Sequence, residues 1–199
     1  MEWNNPTFGN TWEHRGYVGS GNVHALLGSC LGRRALVCGG AQGVFEDVEK
    51  IIQKDDLVFA SNDVGMYLPR LDHWATLHYM KMPHWRAIRD DAFSRQIGNT
   101  DYKTHSHGSE KAHYDWFGLT PILPLSGLFA AQIAFLMGCN PIILVGCPND
   151  QTPRFFETKA IEGYATVQKT IRSEMAFKPE FKKVIRSVSG WTKEFFGAP

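Results

Sequence analysis

Short apolar runs alternate with segments of helical periodicity along this chain. Runs at residues 34–38, 57–60 and 141–147 are bounded by polar or turn residues, as in parallel strands that are covered on both faces. After the first run, the spacing of Val44 and Val48 places apolar side chains on one face of a helix. The pattern therefore predicts strands that are each followed by a helix.

The same pattern continues to the end of the chain. It predicts a third strand within residues 73–80, a helix over 84–96, a helix from Ser126, a helix over 155–177 and a last strand within 182–190. Because the connection between parallel strands puts a helix on a face of the sheet, this order predicts an α/β fold. We expect a Rossmann-like three-layer sandwich with a mainly parallel sheet and helices on both faces.

Two segments lack periodicity. Residues 1–20 are polar, aromatic and glycine-rich, which predicts an irregular arm that packs on its own domain or joins subunits into a homo-oligomer. Residues 21–199 are then expected to form one domain. Residues 99–120 hold three histidines without a helical or strand pattern, which is typical of a lid or binding loop.

The composition is that of a globular chain without a concentrated charge. Of 199 residues, 43% are hydrophobic, and the net charge is +1. Nucleic-acid binding normally needs a basic face, so we predict no nucleic-acid partner. No apolar run reaches about 18 residues, which predicts no membrane partner. The cysteines lie in or beside apolar segments without metal-binding spacing, which predicts reduced thiols and a cytoplasmic location: Cys30, Cys38, Cys139 and Cys147.

Small and polar residues follow the first two strands. Gly39 and Gly40, with Gln42 in the same GGAQG turn, would let the backbone approach a phosphate, although a plain strand-to-helix turn explains them equally well. Asn62 and Asp63 stand at the end of the second strand, where ligands bind in open α/β sheets. They would read a base or sugar edge, or simply start a turn.

A Ser-Gly pair opens the apolar helix in the second half of the chain. Ser126 is expected to cap this helix, and Gly127 removes a side chain from its first turn, which leaves amide groups open to an anion. A glycine costs a helix about 1 kcal/mol relative to alanine, so its presence here favours close approach of a ligand.

The irregular segment supplies candidate catalytic groups. His105, His107, His113 and Asp115 would provide a general base or metal ligands, because imidazole titrates near neutral pH. Their spacing matches no specific metal-site pattern, so we assign no metal ligands. Surface histidines without a catalytic role are the alternative.

Three segments together carry a resemblance to a known group of proteins. They read LVCGGAQGVFEDV, LVFASNDVGMYLPRLDHWATLH and LSGLFAAQIAFLMGCNPIILVGCPND. They resemble bacterial sialyltransferase-like glycosyltransferases and the related archaeal-type hydroxymethylpterin pyrophosphokinases, in which a glycine turn, an asparagine, a "PD" pair and an SG pair accompany successive strands. The similarity covers about residues 34–150. The combination also looks like phage or prophage proteins of similar length.

The resemblance implies a role for each matching position. Gly39 and Gly40 would face the phosphates, and Asn62 would face the nucleotide. Asp72 would stand at the end of the "PD" strand, and Ser126 and Gly127 would face the nucleoside. The sialyltransferases use a histidine base after their last strand motif, whereas this chain has no histidine beyond His113.

Three functions follow as expectations. The first is a nucleotide-sugar-dependent glycosyltransferase that binds a nucleotide or nucleotide-sugar at the carboxyl ends of the strands. The second is a diphosphotransferase that uses Mg²⁺ held by Asp63, Asp72 or Asp150. The third is a non-catalytic phage accessory module that assembles through its N-terminal arm.

Overall fold

The computed structural model describes residues 23–93, 101–107, 115, 119–159 and 162–199. The arm expected at residues 1–20 lies outside these residues, and so does His113. None of the helices within them is long and apolar enough to cross a membrane.

The described strands form one sheet in which every pairing is parallel. In chain order they are β1 (Ala35–Cys38), β2 (Leu57–Ser61), β3 (His73–Thr76), β4 (Lys103–Ser106), β5 (Ile142–Val145) and β6 (Ile185–Ser187). Their order across the sheet is β4-β3-β2-β1-β5-β6. Residues of β1, β2 and β5 are buried throughout, which explains their continuous apolar sequences.

Helices cover both faces of the sheet, so the expected three-layer α/β fold is confirmed. They are α1 (Val44–Ile51), α2 (Met82–Phe93), α3 (Ser126–Leu136), α4 (Tyr164–Ala176), α5 (Pro179–Val184) and α6 (Gly190–Phe196). One apolar cluster joins α1 and α2 to one face. The other cluster packs four helices, α3, α4, α5 and α6, on the opposite face.

Helix α3 is the most buried of these helices. Ten of its residues are buried, and it packs under β2 and β3 as well as β1 and β5. A helix that is apolar on all sides belongs in a core, since full burial of one Leu, Ile or Phe side chain contributes about 1.5–3 kcal/mol. The start of α3 is therefore held firmly relative to the strand ends.

Two sequence-based expectations about these elements are wrong. Residues 99–120 are not wholly irregular, because β4 lies within them; its inner residues Thr104, His105 and Ser106 are buried polar side chains that leave no apolar run to detect. The helix expected over residues 155–177 begins only at Tyr164. Phe156, which lies within the expected helix, is an exposed residue of the preceding loop.

The chain reverses its direction of growth across the sheet at β1. From β1 it adds β2, β3 and β4 on one side, and it then returns to add β5 and β6 on the other side. The connections that leave β1 and β5 consequently diverge, which opens a crevice beyond the carboxyl ends of these two strands. In open α/β sheets this is where ligands bind.

Candidate functional site

A crevice of about 140 Å³ lies at this point of the sheet. It is lined by residues that follow β1, β2 and β5 and by the first turn of α3. Six of the seven residues predicted from the sequence to bind a nucleotide lie in this lining: Gly39, Gly40, Asn62, Asp63, Ser126 and Gly127. The structure thus brings together residues from three segments that lie up to 88 positions apart in the chain.

The floor of the crevice is a close backbone contact between the ends of β1 and β5. A Cβ atom at Gly39 would lie 2.5 Å from the Gly146 carbonyl oxygen and 2.5 Å from Cys147 Sγ. Gly146 adopts a φ of 62°, and a Cβ there would meet the Gly39 carbonyl oxygen at 2.6 Å. Gly39 is therefore required by the contact between strand ends, whereas a Cβ at Gly40 would meet Asp63 Oδ1 at 3.1 Å and the Phe155 ring at 3.8 Å.

Asn62 is held in an unusual conformation at the end of β2. Its φ is 59°, in the left-handed region that few residues other than glycine adopt. The Trp74 indole N–H donates to the Asn62 carbonyl oxygen at 2.6 Å, and the Thr76 hydroxyl donates to Asn62 Oδ1 at 2.9 Å. These bonds from β3 fix both the backbone and the amide of Asn62, and such locally strained residues concentrate at functional sites.

Asp63 forms an ion pair with Arg154 at the mouth of the crevice. Arg154 Nη1 lies 3.3 Å from Asp63 Oδ2; the Arg154 side chain is 45% exposed and the Asp63 side chain 12%. Burial raises the pKa of the Asp63 carboxyl, while Arg154 and nearby backbone amides act in the lowering direction. Within the described part of the chain, Arg154 is the only basic residue in the lining.

A short backbone ladder positions Arg154. Ala41 and Arg154 form an isolated antiparallel bridge, the Gln42 N–H donates to the Pro153 carbonyl at 2.8 Å, and the Phe155 N–H donates to the Gly40 carbonyl at 2.9 Å. The loop after β5 is thereby tied to the turn after β1. Gln42, predicted from sequence to contact a nucleotide, is exposed and lies outside the crevice lining.

The first turn of α3 forms one wall. The expectation that Ser126 caps this helix is wrong: the helix begins at Ser126, Leu125 occupies the cap position, and no side chain caps it. Ser126 Oγ instead accepts a hydrogen bond from the Leu77 N–H at 3.4 Å. The first amide groups of a helix have no partner within it, so this turn presents donors toward the crevice.

Tyr164 and Cys147 complete the lining with neutral groups. Tyr164 is the first residue of α4, and burial raises the pKa of its phenol, so the phenol remains a hydrogen-bond donor at neutral pH. Burial raises the pKa of the Cys147 thiol to about 12. Cys147 is therefore a neutral packing residue rather than a thiolate nucleophile.

Of the predicted catalytic residues, the three that the structure describes do not share this lining. His105 lies in β4, is 1% exposed, and its Nε2 is 2.9 Å from His73 Nδ1. Burial lowers its pKa, so the imidazole is neutral. Asp115 Oδ2 accepts hydrogen bonds from the Thr104 N–H and hydroxyl, which tie Asp115 to β4. His107 follows β4 and lines a second pocket with His78.

The three carboxylates considered for Mg²⁺ lie in different places. Only Asp63 lines the crevice. Asp72 precedes β3 and accepts a hydrogen bond from the Val58 N–H, so it lies at the start of that strand and not at its end as the resemblance implied. Asp150 accepts hydrogen bonds from Thr152 and from the Trp191 N–H. No group of three potential metal ligands occurs among the described residues.

Comparison with solved structures defines the class of fold. No protein-family model matches the sequence, and a search of curated proteins finds no match. Solved structures do match, and they show that the chain has the fold of sialyltransferases and other glycosyltransferases.

Three of these structures illustrate the similarity. The sialyltransferase CST-II, in complex with a trisaccharide acceptor and CMP, is 13% identical with a TM-score of 0.59, over 83% of this chain and 86% of that one. The α-2,3-sialyltransferase from Campylobacter jejuni is 10% identical with a TM-score of 0.57, over 86% and 83%. The MAf glycosyltransferase from Magnetospirillum magneticum AMB-1 is 11% identical with a TM-score of 0.54, over 87% of this chain and 38% of that one. None of the three is a pyrophosphokinase or a phage protein.

Sequence reasoning missed several residues of the site. Arg154 and Tyr164 enter the lining from the loop after β5 and from the start of α4. The rule that drew attention to Asn62, namely that ligands meet the carboxyl ends of strands, applies equally to the loop after β5. The basic residue in GCPNDQTPR was therefore the signal that could have identified Arg154.

Proposed function

We propose that this protein is a nucleotide-sugar-dependent glycosyltransferase whose crevice binds the nucleotide of the donor. The observation that carries the proposal is the meeting of Arg154, the amide groups at the start of α3 and the glycine turn at Gly39 and Gly40 beyond the ends of β1 and β5. A cation and free backbone amides that converge on one space favour a phosphate group.

The phosphate is expected to lie between α3 and Arg154. Gly127 carries no side chain that would block the α3 amides, and a Cβ at that position would lie 2.9 Å from Cys147 Sγ. The Tyr164 phenol adds a neutral donor on the same lining. These groups would stabilise the negative charge that develops on the phosphate when the bond to the sugar breaks.

The rest of the nucleotide is expected to lie toward β2. Asn62 and Asp63 provide an amide and a carboxylate, which suit hydroxyl and base edges. The crevice volume of about 140 Å³ is smaller than the roughly 300–1,000 Å³ typical of whole-ligand pockets. We infer that the phosphate and the ribose of the nucleotide occupy the crevice, while the base extends over the rim.

CMP is the first nucleotide to test, because the similar sialyltransferase CST-II was solved with CMP. Isothermal titration of the full chain with CMP, UDP, GDP and ATP, each with and without Mg²⁺, measures the affinity for each nucleotide and its dependence on the metal. We expect a pyrimidine nucleotide to bind without a metal requirement. Binding of ATP alone and only with Mg²⁺ would favour the diphosphotransferase, and no binding by any of the four would overturn the proposal.

Ser126→Ala provides a matched variant for this titration. It keeps the α3 amides but removes the hydroxyl that accepts the Leu77 N–H. Ser29→Ala, at an exposed position outside the crevice, is the control. We expect Ser126→Ala to weaken the nucleotide by several-fold, about 0.5–1.5 kcal/mol for one hydrogen bond, and Ser29→Ala to leave it unchanged.

A further inference from the structure

A second pocket lies beside the crevice, at the ends of the next two strands. It measures about 440 Å³ and is lined by Leu77 and His78 after β3, His107 after β4, and Pro121 and Pro124 before α3. Its volume falls within the roughly 300–1,000 Å³ of small-ligand pockets. None of these five residues belongs to the lining of the crevice.

Direct contacts connect the two spaces. The Leu77 N–H in the second pocket donates to Ser126 Oγ in the crevice. A second route runs through β3: the His78 N–H donates to Thr76 Oγ1 at 2.8 Å, and the Thr76 hydroxyl donates to Asn62 Oδ1 at 2.9 Å. A group bound in the second pocket would therefore lie next to a ligand held by Asn62 and Ser126.

The lining chemistry favours an uncharged ligand that carries hydroxyl groups. In the described part of this pocket there is no carboxylate, lysine or arginine, so nothing there would pair with a charged ligand. Prolines and Leu77 offer flat apolar surface, and the two imidazoles offer hydrogen bonds. His107 is an exposed residue, and its partial desolvation, with a smaller effect of His78, lowers the pKa of its imidazole, so the ring is neutral and able to accept a proton at neutral pH.

We propose that the second pocket binds a saccharide acceptor and that His107 is the general base of the transfer, with His78 as its neighbour in the pocket. This inference rests on the proposed glycosyltransferase function. The acceptor oxygen forms a bond to the anomeric carbon of the donor as its proton passes to His107. The bond between that carbon and the phosphate oxygen breaks, and its electron pair leaves with the nucleotide. The base thus comes from the β4 end of the sheet and not from the segment after β5.

The test separates saccharide binding from nucleotide binding. Imidazole resonances are followed by NMR while methyl galactoside, methyl glucoside, lactose and cellobiose are added to the full chain. We compare the wild type with His107→Asn, His78→Asn and the double variant, and His84→Asn is the matched control because His84 is an exposed histidine of α2 outside both pockets. Nucleotide affinity is measured on every variant.

We expect at least one saccharide to shift the resonances of His78 and His107 and leave His84 unchanged. The double variant should weaken that saccharide about 10-fold or more, through the loss of two hydrogen bonds, and nucleotide affinity should stay within about 2-fold. His107→Asn should lower the rate of transfer to the bound saccharide by about 100-fold or more, as expected for loss of a general base.

Each contrary result has a distinct meaning. If no saccharide shifts either imidazole, or if the double variant binds and transfers normally, the acceptor pocket is refuted. If the saccharide binds as expected but no nucleotide binds, the proposed function fails while the pocket stands as a saccharide site. If His107→Asn weakens binding but leaves the transfer rate of the bound saccharide unchanged, His107 contacts the acceptor and is not the base.

Discussion

Replacing Arg154 with glutamine removes the cation of the crevice and keeps a long polar side chain. In the free protein the guanidinium lies 3.3 Å from Asp63 Oδ2, and nearly half of the Arg154 side chain is exposed. A partly exposed ion pair contributes about 0–1 kcal/mol to stability. We therefore expect Arg154→Gln to change the free energy of unfolding by no more than about 1 kcal/mol, and to raise the pKa of Asp63 further.

Nucleotide binding should change much more than stability. A hydrogen bond to a charged group contributes about 1.5–3 kcal/mol, and each 1.4 kcal/mol is a factor of ten in affinity. We expect Arg154→Gln to lower the affinity for CMP by about 10- to 150-fold. Cytidine lacks the phosphate, so its affinity should change by less than about 3-fold.

Calorimetric titration of CMP and cytidine into the wild type and the variant measures this contrast. Arg33→Gln is the control, because Arg33 is an exposed arginine just before β1, at the end of that strand opposite the crevice, where it donates to the Asp55 carbonyl. Equal losses for CMP and cytidine would refute a phosphate at Arg154, and so would an unchanged affinity for CMP. An equal effect of Arg33→Gln would show that net charge, and not position, governs binding.

Two further predictions concern the crevice wall and the buried histidines. A Cβ at Gly127 would crowd Cys147 Sγ at 2.9 Å, so Gly127→Ala should lower the affinity for CMP, while a gain in helix propensity of about 1 kcal/mol limits any loss of stability. Adding Cys147→Ala should restore the affinity in the same titration. An unaltered affinity in Gly127→Ala would place the ligand elsewhere. Burial lowers the pKa of His73 from 6.5 to about 4. As the pH decreases from 6.5 to about 4, this histidine takes up a proton in the unfolded chain but not in the folded one, so the free energy of unfolding should fall by about 3 kcal/mol. Urea unfolding measured across this pH range should show the decrease in the free energy of unfolding, and the decrease should be smaller in His73→Gln. The same dependence on pH in both proteins would show that His73 is not its source.

The strands with continuous apolar sequences were predictable from the chain alone. β1, β2 and β5 are buried on both faces, so every position is apolar or small and the run is visible without any partner. β4 was missed because its buried residues are Thr104, His105 and Ser106, whose polar groups are satisfied in part by contacts from distant segments. A local pattern carries no signal of such contacts.

The start of α3 shows a subtler limit. The position of the helix followed from its apolar sequence, and the Ser-Gly pair correctly drew attention to its first turn. The role of Ser126 as a cap did not follow, because its hydroxyl finds a partner in the Leu77 N–H, 49 positions away in the chain. Whether a serine caps its own helix or bonds elsewhere depends on what the fold places beside it.

The sequence by itself determined the strands with continuous apolar runs, the apolar helix α3 and the residues that follow β1 and β2, because periodicity and turn chemistry are local properties of the chain. Only the tertiary structure decided which of those residues meet. It pairs Asp63 with Arg154 across 91 positions, buries His105 against His73, and places His107 beside His78. Strand order sets these neighbours, and strand order depends on the packing of the whole sheet and its helices rather than on any single segment.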